Sequence, residues 1–238
     1  MQSVIVAGGI GSRIKKYVGD IPKSLIPIQS KLFLDLQLQW LSSSKQIHLC
    51  LGYKSQDIIE FVSSKEYDIK INWSVEREPL GVLGGIYHAK DNLNDVFSVV
   101  LGDALPQFPF EKLVNSAKPL LTMGYSVMFV APSKNIPGQK GNVDIKGDMV
   151  KTYCKKTNYN GPCVDIGFWI LQRKHILKYA KIATEEDFFN SVIKEGKLAN
   201  VFLQKGAWEV GSIEGLTNMV VEIESVENIV STNGGHNV

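Results

Sequence analysis

An α/β fold with a mixed, mostly parallel sheet flanked by helices is predicted for this chain, and three observations predict it. Short apolar runs stop abruptly at glycine, at residues 3–7, 47–51 and 96–101. Helical patterns fill the intervals between them. The resulting order of strand, helix, strand, helix implies parallel neighbours joined by right-handed crossovers.

Residues 3–7, Ser-Val-Ile-Val-Ala, are β-branched and read as a buried strand. After a long loop, residues 33–41 carry apolar side chains at Phe33, Leu34, Leu36, Leu38, Trp40 and Leu41, a helical pattern. Residues 47–51 form a second strand, 57–62 a second helix, and 69–75 alternate as a third strand. A helix from about 82 to 93 leads into the strand 96–101. The second half changes character. Residues 143–145 and 149–153 read as a hairpin with Gly147 and Asp148 in its turn. Residues 164–171 are strand-like, 185–195 helical and 201–203 a short strand. Ser212 suits the N-cap of a last helix reaching residues 219–223. This β-rich part is expected to be an insert covering the edge of the sheet. No repeat or linker divides residues 1–230, so a single domain is expected, and residues 231–238 read as a disordered tail.

Composition narrows the function classes. The 238 residues suffice for one large α/β core, and 44% hydrophobic with 21% charged content is that of a globular protein. A net charge of +2 without a lysine/arginine block gives no reason to expect a nucleic-acid partner. Three cysteines without a C-x-x-C spacing suggest a reducing compartment, with neither a disulfide framework nor a zinc site. Residues 4–7 are apolar, but nothing cationic precedes them and glycines follow, the pattern of a strand and not of a signal peptide. No apolar run approaches the ~20 residues of a membrane helix, so no membrane partner is expected. A cytoplasmic location is the expectation.

In open α/β sheets the ligand sits beyond the carboxyl ends of the strands. Three such ends matter here: Ala7-Gly8, Leu51-Gly52 and Leu101-Gly102-Asp103. The first opens the run Ala7-Gly8-Gly9-Ile10-Gly11-Ser12-Arg13, followed after a spacer by Pro22-Lys23. Glycines directly after a buried strand let backbone N–H groups wrap phosphate oxygens. Arg13 adds a rigid fork of donors and Lys23 a second cation. A dinucleotide fingerprint would need G-x-G-x-x-G, but Gly9 and Gly11 are followed by Ile14; a Walker loop is absent.

These residues resemble the signature of the sugar-1-phosphate nucleotidyltransferases, G-G-x-G-[ST]-R, then P-K and P-[IV], here Gly8, Gly9, Gly11, Ser12, Arg13, Pro22, Lys23, Pro27 and Ile28. Glu78-Pro79-Leu80-Gly81 with Gly84 is similar to the family's segment near base and ribose. Leu101-Gly102-Asp103 is similar to its L-G-D, Asp165-Ile166-Gly167 to its sugar-facing D-x-G, and Glu209-Val210-Gly211-Ser212 to its metal-bearing D-[IV]-G-[TS]. The resemblance implies a Rossmann-like fold with a β-rich sugar-binding insert, a nucleotide part over about 1–110 and a sugar-phosphate part over about 111–230. It implies as nucleotide contacts Ala7, Gly8, Gly9, Gly11, Ser12, Arg13, Lys23, Gly52, Pro79, Gly81 and Gly102. It implies Arg13, Lys23 and Asp103 as catalytic, with Mg2+ held by Asp103 and Glu209. For the sugar phosphate it implies Asn142, Lys155, Lys156, Asp165 and Gly167. The implied partners are a nucleoside triphosphate and a sugar 1-phosphate, with room for a homo-oligomer. The compact length, Gly52-Tyr53-Lys54 and Gly141-Asn142-Val143-Asp144 point within the family to heptose- or mannose-1-phosphate guanylyltransferases, hence GTP, and to nucleotide-sugar supply for surface glycans.

Two rivals share the pattern: a nucleotide-sugar-dependent glycosyltransferase, which usually carries D-x-D where Asp103-Ala104-Leu105 has one carboxylate, and a catalytically silent nucleotide-sugar-binding subunit. Two positions depart from the family. Glu209 stands where aspartate is usual, and Lys155 where a glutamate usually precedes the lysine. Either Lys155 is a solvated cation and Lys156 alone serves the acceptor phosphate, or the strand ends or bulges there and both lysines turn to the acceptor, which would favour a sugar with acidic character beyond its 1-phosphate.

Overall fold

The computed structural model describes residues 1–136, 139–181 and 184–231. The chain opens with β1 (Gln2–Ala7), the signature loop and the short α1 (Lys15–Val18). A two-stranded ribbon, β2 (Pro27–Ile28) and β3 (Lys31–Leu32), leads into α2 (Phe33–Trp40). Next come β4 (Gln46–Leu51), α3 (Ser55–Ser63), β5 (Lys70–Val75), α4 (Gly81–His88) and β6 (Val96–Leu101). Then follow β7 (Ala104–Pro106), α5 (Phe110–Thr122), β8 (Ser126–Pro132), the hairpin β9 (Val143–Lys146) and β10 (Met149–Tyr153), and β11 (Cys163–Gln172). The chain closes with α6 (Arg173–Tyr179), α7 (Glu185–Lys194), β12 (Leu198–Phe202), β13 (Ala207–Glu209), α8 (Ile213–Val221) and α9 (Ile223–Ser231). Of the expected tail, Ser231 ends α9, and residues 232–238 lie outside the described residues.

One nine-stranded sheet, ordered β5-β4-β1-β6-β11-β8-β12-β10-β9, carries the fold. β1, β4, β5 and β6 are mutually parallel where they pair, and β12 runs parallel to β8; β11 and β10 run against their neighbours. The sheet is therefore mixed, with most strands in one direction. From β1 the chain steps outward to β4 and β5, then returns to β6 on the other flank of β1. That reversal opens a crevice beyond the carboxyl ends of β1 and β6.

The β-rich second half extends the sheet; it does not cap its edge. The reason lies in β11, whose side chains alternate between two cores. Ile166, Phe168 and Ile170 join the layer of α2, α5 and α9, where Phe168 meets Trp40 and Phe110 edge to face. Trp169 and Leu171 join the opposite layer with Leu83, Phe188 and Phe189 of α4 and α7. A strand buried on both faces belongs inside a sheet. The hairpin β9–β10 takes the far edge, with Lys146 and Lys151 exposed there as charges that discourage further pairing. Its turn holds Gly147 at φ +57°.

Residues 104–132 carry elements that the sequence pattern does not announce. α5 buries Phe110, Leu113 and Ala117 at helical spacing but contains Pro119, a residue that argues against a helix interior. The expected helix over 82–93 is shorter, with α4 ending at His88 and a 3-10 turn at Lys90–Asn92.

Candidate active site

Two adjoining cavities open along the carboxyl edge of the sheet. The first, of about 440 Å³, is lined by Ala7, Gly8, Gly9, Gly11, Ser12, Lys23, Glu76, Pro79, Gly81, Gly102 and Asp103, among others. It gathers most residues that the sequence assigns to the nucleotide. Six of its lining residues are glycines, which expose main chain to it. Among the described residues, the N–H groups of Gly9, Ile10, Gly11, Ser12 and Arg13 donate to no protein acceptor, which leaves a row of donors for an anion. Gly11 sits at φ +68°, and a β-carbon there would lie 2.9 Å from Lys23 Cγ, so both conformation and space demand glycine. Gly52 lies behind this wall, not on it: a β-carbon on Gly52 would come within 2.6 Å of Glu76 Oε1 and 2.9 Å of the Gly8 carbonyl.

Glu76 follows β5 directly and is half-buried against the ends of β1 and β4. Its Oε2 accepts the Leu80 N–H at 3.2 Å, and burial raises its carboxyl above the usual range. The three strand ends that the sequence marks with glycine do not include this fourth one. The same rule applied to β5 would have found it.

At the mouth shared by the two cavities stands Asp103. Gln37 of α2, fully buried, holds its turn in place: Nε2 donates to the carbonyls of Leu101 at 2.9 Å and Ala104 at 2.8 Å. Lys23 Nζ donates to Asp103 Oδ2 at 2.6 Å. β13 pairs with β7 so that Glu209 lies opposite Ala104. A β-carbon on Gly211 would lie 2.8 Å from Asp103 Oδ2, 2.9 Å from Glu209 Oε2 and 3.2 Å from Lys23 Nζ. Two carboxylates and one ammonium thus converge on one point. Glu209 is itself held, by the Gly211 N–H at 2.9 Å and by the Ser212 hydroxyl, while Ser212 caps α8. Among the described residues no three His, Cys, Asp or Glu side chains gather to enclose a metal. Two hard oxygen donors facing each other still fit a cation whose remaining ligands are phosphate oxygens and water.

The second cavity, of about 430 Å³, is lined by Arg13, Asp103, Asn142, Tyr153, Lys155, Asp165, Gly167, Glu185 and Glu209, among others. Arg13 is exposed and has no protein partner among the described residues. Asn142 Oδ1 accepts the Asp165 N–H at 2.9 Å. Asp165 Oδ1 accepts from the Gly167 N–H at 2.9 Å and Trp169 Nε1 at 2.8 Å. Burial outweighs these donors and pushes the Asp165 carboxyl up to about 6. Tyr153 OH lies 3.3 Å from Asp165 Oδ2 and 3.2 Å from Glu185 Oε2, and burial holds its phenol well above the ordinary value.

The two lysines part company. β10 ends at Tyr153, so neither continues the strand. Lys155 faces the cavity with Nζ 2.5 Å from Glu185 Oε2, and its N–H donates to Glu186 Oε2 at 2.8 Å. Lys156 is exposed and lines neither cavity. Of the two lysines it is Lys155 that reaches the cavity, paired there with a carboxylate from α7, and not Lys156. Neither Tyr153 nor Glu185 was singled out by the sequence. The capping pattern Thr184-x-x-Asp187 marks the start of α7, but nothing local says which cavity that start faces.

Among the described residues no helix is long and apolar enough to cross a membrane. Known proteins share this fold. The solved structure of HddC from Yersinia pseudotuberculosis superposes with a TM-score of 0.77 over 93% of this chain and 99% of its own, at 23% identity, and a second structure of it is complexed with GMP-PN. The D-glycero-alpha-D-manno-heptose 1-phosphate guanylyltransferase of Campylobacter jejuni is 34% identical over 126 residues, 52% of this chain and 57% of its own. The mannose-1-phosphate guanyltransferase of Saccharomyces cerevisiae is 26% identical over 87% of this chain and 60% of its own. The chain thus spans between a third and two thirds of the length of these and other curated relatives it matches. The model of the nucleotidyl transferase family matches residues 2–226. That span takes in the donor row after β1, the Lys23–Asp103–Glu209 cluster and the second cavity together, and the chain belongs to the nucleotidyl transferase family.

Proposed function

We propose that this chain is a sugar-1-phosphate guanylyltransferase, which joins GMP from GTP to a heptose- or mannose-type sugar 1-phosphate and releases pyrophosphate. The observation that carries the choice of base is Glu76. Guanine presents two adjacent donors, N1–H and the N2 amino group, and a carboxylate is an acceptor-only group able to take both. Uracil, cytosine and adenine each present a mixed edge that a carboxylate matches poorly. Glu76 lines the first cavity, and its Oε1 has no protein donor among the described residues. The names of the relatives from Campylobacter jejuni and Saccharomyces cerevisiae support the same base.

In this reading the sugar-phosphate oxygen attacks the α-phosphorus of GTP. The new P–O bond forms as the bridge to the β-phosphate breaks, and the electron pair leaves with pyrophosphate. A phosphate monoester with second pKa ~6 is largely ionised at neutral pH, so no general base is required. The protein's part is positioning and charge stabilisation. The N–H row from Gly9 to Arg13 and the Arg13 guanidinium receive the β- and γ-phosphates. Lys23, poised beside Asp103, meets the α-phosphate between the cavities. Enzymes of this family generally use a divalent metal. Mg2+ is the ion we assign, held by Asp103 and Glu209, where it would neutralise phosphate charge. Asn142, Asp165 and Gly167 would face the sugar. Residues 1–110 would mainly serve the nucleotide and 111–230 the acceptor, with Arg13 and Asp103 also lining the second cavity and Glu185 the first. Lys156 is left with no role in binding.

The deciding experiment is a matrix of four nucleoside triphosphates against a panel of sugar 1-phosphates, read by pyrophosphate release with Mg2+. GTP with a heptose or mannose 1-phosphate is the expected pair. Release confined to UTP or CTP would overturn the base, and no release from any pair would overturn the activity.

A further inference from the structure

The wall of the second cavity formed by Tyr153, Asp165 and Glu185, the last of which also lines the first cavity, offers more hydrogen-bond acceptors than donors. Tyr153 OH has one hydrogen and stands between two carboxylate oxygens, Asp165 Oδ2 at 3.3 Å and Glu185 Oε2 at 3.2 Å. It can serve only one of them at a time. Lys155 Nζ is committed to Glu185 Oε2 at 2.5 Å, and that contact fixes the Glu185 side chain, only 16% exposed, against the cavity. Glu185 Oε1 carries no protein donor among the described residues. The unmet demand at this wall is for donors, and sugar hydroxyls are donors. A second carboxylate on the sugar would bring the opposite: a further anion beside Asp165 and Glu185, with the neighbouring cation already paired.

We infer that Glu185, presented by the start of α7 and held in place by Lys155, is a specificity-determining residue that reads hydroxyls of the acceptor, so that the cavity takes a neutral sugar 1-phosphate and discriminates against one bearing a uronic carboxylate. Lys155 is a positioning residue in this arrangement. Its ammonium orients Glu185 and does not itself bind an acidic sugar. The inference rests on reading the second cavity as the acceptor site of a nucleotidyltransferase.

The test uses the full chain with the triphosphate chosen by the matrix held saturating. Pyrophosphate release is measured with D-mannose 1-phosphate and with D-glucuronic acid 1-phosphate. The unmodified protein is expected to favour mannose 1-phosphate at least ~10-fold in kcat/KM, and Glu185→Gln to reduce that ratio at least ~10-fold, the scale of a hydrogen bond to a charged group. A purely structural role for Glu185 would lower both acceptors together and leave the ratio unmoved. That result in a folded Glu185→Gln protein, or an unmodified protein that takes both acceptors equally, overturns the proposal. Should Glu185→Gln fail to fold, the Lys155 pair decides. Lys155→Arg keeps the KM for mannose 1-phosphate within about threefold, while Lys155→Glu raises it at least ~10-fold; an unchanged KM in Lys155→Glu overturns the proposal. An unmodified protein that releases no pyrophosphate with any neutral sugar 1-phosphate refutes the functional reading itself, a result obtained before any variant is made.

Discussion

The parallel half of the sheet and the mixed half build their ligand walls from different material. Beyond β1 and β6 the part of the wall that faces an anion is main chain, with the N–H row from Gly9 to Arg13 open and glycines admitting close approach. In the second cavity the wall is side chains: Asn142 before β9, Tyr153 and Lys155 at the end of β10, Asp165 in β11 and Glu185 at the start of α7. A main-chain wall is specified by a few consecutive residues, because only local conformation has to be right. A side-chain wall is specified by the tertiary fold that brings distant positions together. The first kind suits a phosphate chain common to every triphosphate. The second can be retuned one residue at a time, and so it suits the choice of sugar.

The largest effect is expected where the two walls meet. Asp103→Asn keeps the shape but removes a charge that faces Lys23 at 2.6 Å and shares its point of convergence with Glu209. Turnover should fall by at least ~10³-fold with the melting temperature little changed, since an electrostatic anchor at the reacting phosphate is worth several kcal/mol. A titration of Mg2+ against activity checks the assignment. If the residual activity of Asp103→Asn saturates at the same Mg2+ concentration as the unmodified protein, Asp103 is no ligand.

Next comes the main-chain wall. Arg13 has no protein partner among the described residues, so its removal disturbs no packing. Arg13→Ala is expected to lower kcat about 10²-fold, and Arg13→Lys to recover little, because the bidentate fork is lost. Near-normal kcat in Arg13→Ala would mean that the N–H row suffices for the phosphates, which would sharpen the contrast between the two walls.

A smaller change in rate, but a change in kind, is expected at Glu76. Glu76→Gln replaces an acceptor-only group by one acceptor and one donor. The preference for GTP over UTP in kcat/KM should shrink by about 30-fold, consistent with losing a charged hydrogen bond of roughly 2 kcal/mol. A preference unchanged in the matrix assay would remove Glu76 from base recognition and leave the guanine choice without its structural support.

How much of this was legible in the sequence follows the same division. The order of β1, β4, β5 and β6 is readable because β1, β4 and β6 are short apolar runs that end at glycine and β5 alternates. Gly8 to Arg13 and Gly102-Asp103 are readable because chemistry and backbone conformation are encoded in the same few residues. β8 escapes because nothing in its apolar run separates a strand from a buried helix, and α5 because Pro119 disguises its last turn. The place of β11 inside the sheet is not legible for a related reason: its burial on both faces depends on helices α5 and α7, which lie on either side of it in the chain and pack from opposite layers. Lys155 shows the limit most clearly. Its identity is plain in the sequence, yet its meaning depends on Glu185, thirty positions away in the chain.

The smallest effect concerns the cost of the side-chain wall to the fold. Burial pushes the Asp165 carboxyl from an ordinary 3.8 to about 6, against the help of the Gly167 and Trp169 donors. Below pH 3.8 the folded and unfolded chains both hold this proton, and the burial carries no ionic penalty. Between pH 3.8 and 6 the unfolded chain ionises while the folded one does not, so stability falls as pH rises, and the loss is complete above pH 6. Two units correspond to roughly 2.7 kcal/mol at most, and about 1–2 kcal/mol is expected after local relaxation. Asp165→Asn keeps an oxygen for the two donors and carries no charge to bury. Relative to the unmodified protein it should therefore gain about 3–6 °C in melting temperature between pH 4 and pH 8, the shift that 1–2 kcal/mol gives in a chain of this size. It should also bind the sugar phosphate less well, because an amide nitrogen replaces an acceptor on the wall. Melting curves across that pH range, set beside the acceptor KM at pH 8, measure both sides of the exchange. A melting difference that stays constant with pH would show that Asp165 is ionised in the folded protein throughout. In that case the side-chain wall would impose no ionic cost on folding, and the contrast with the main-chain wall would be one of specificity alone.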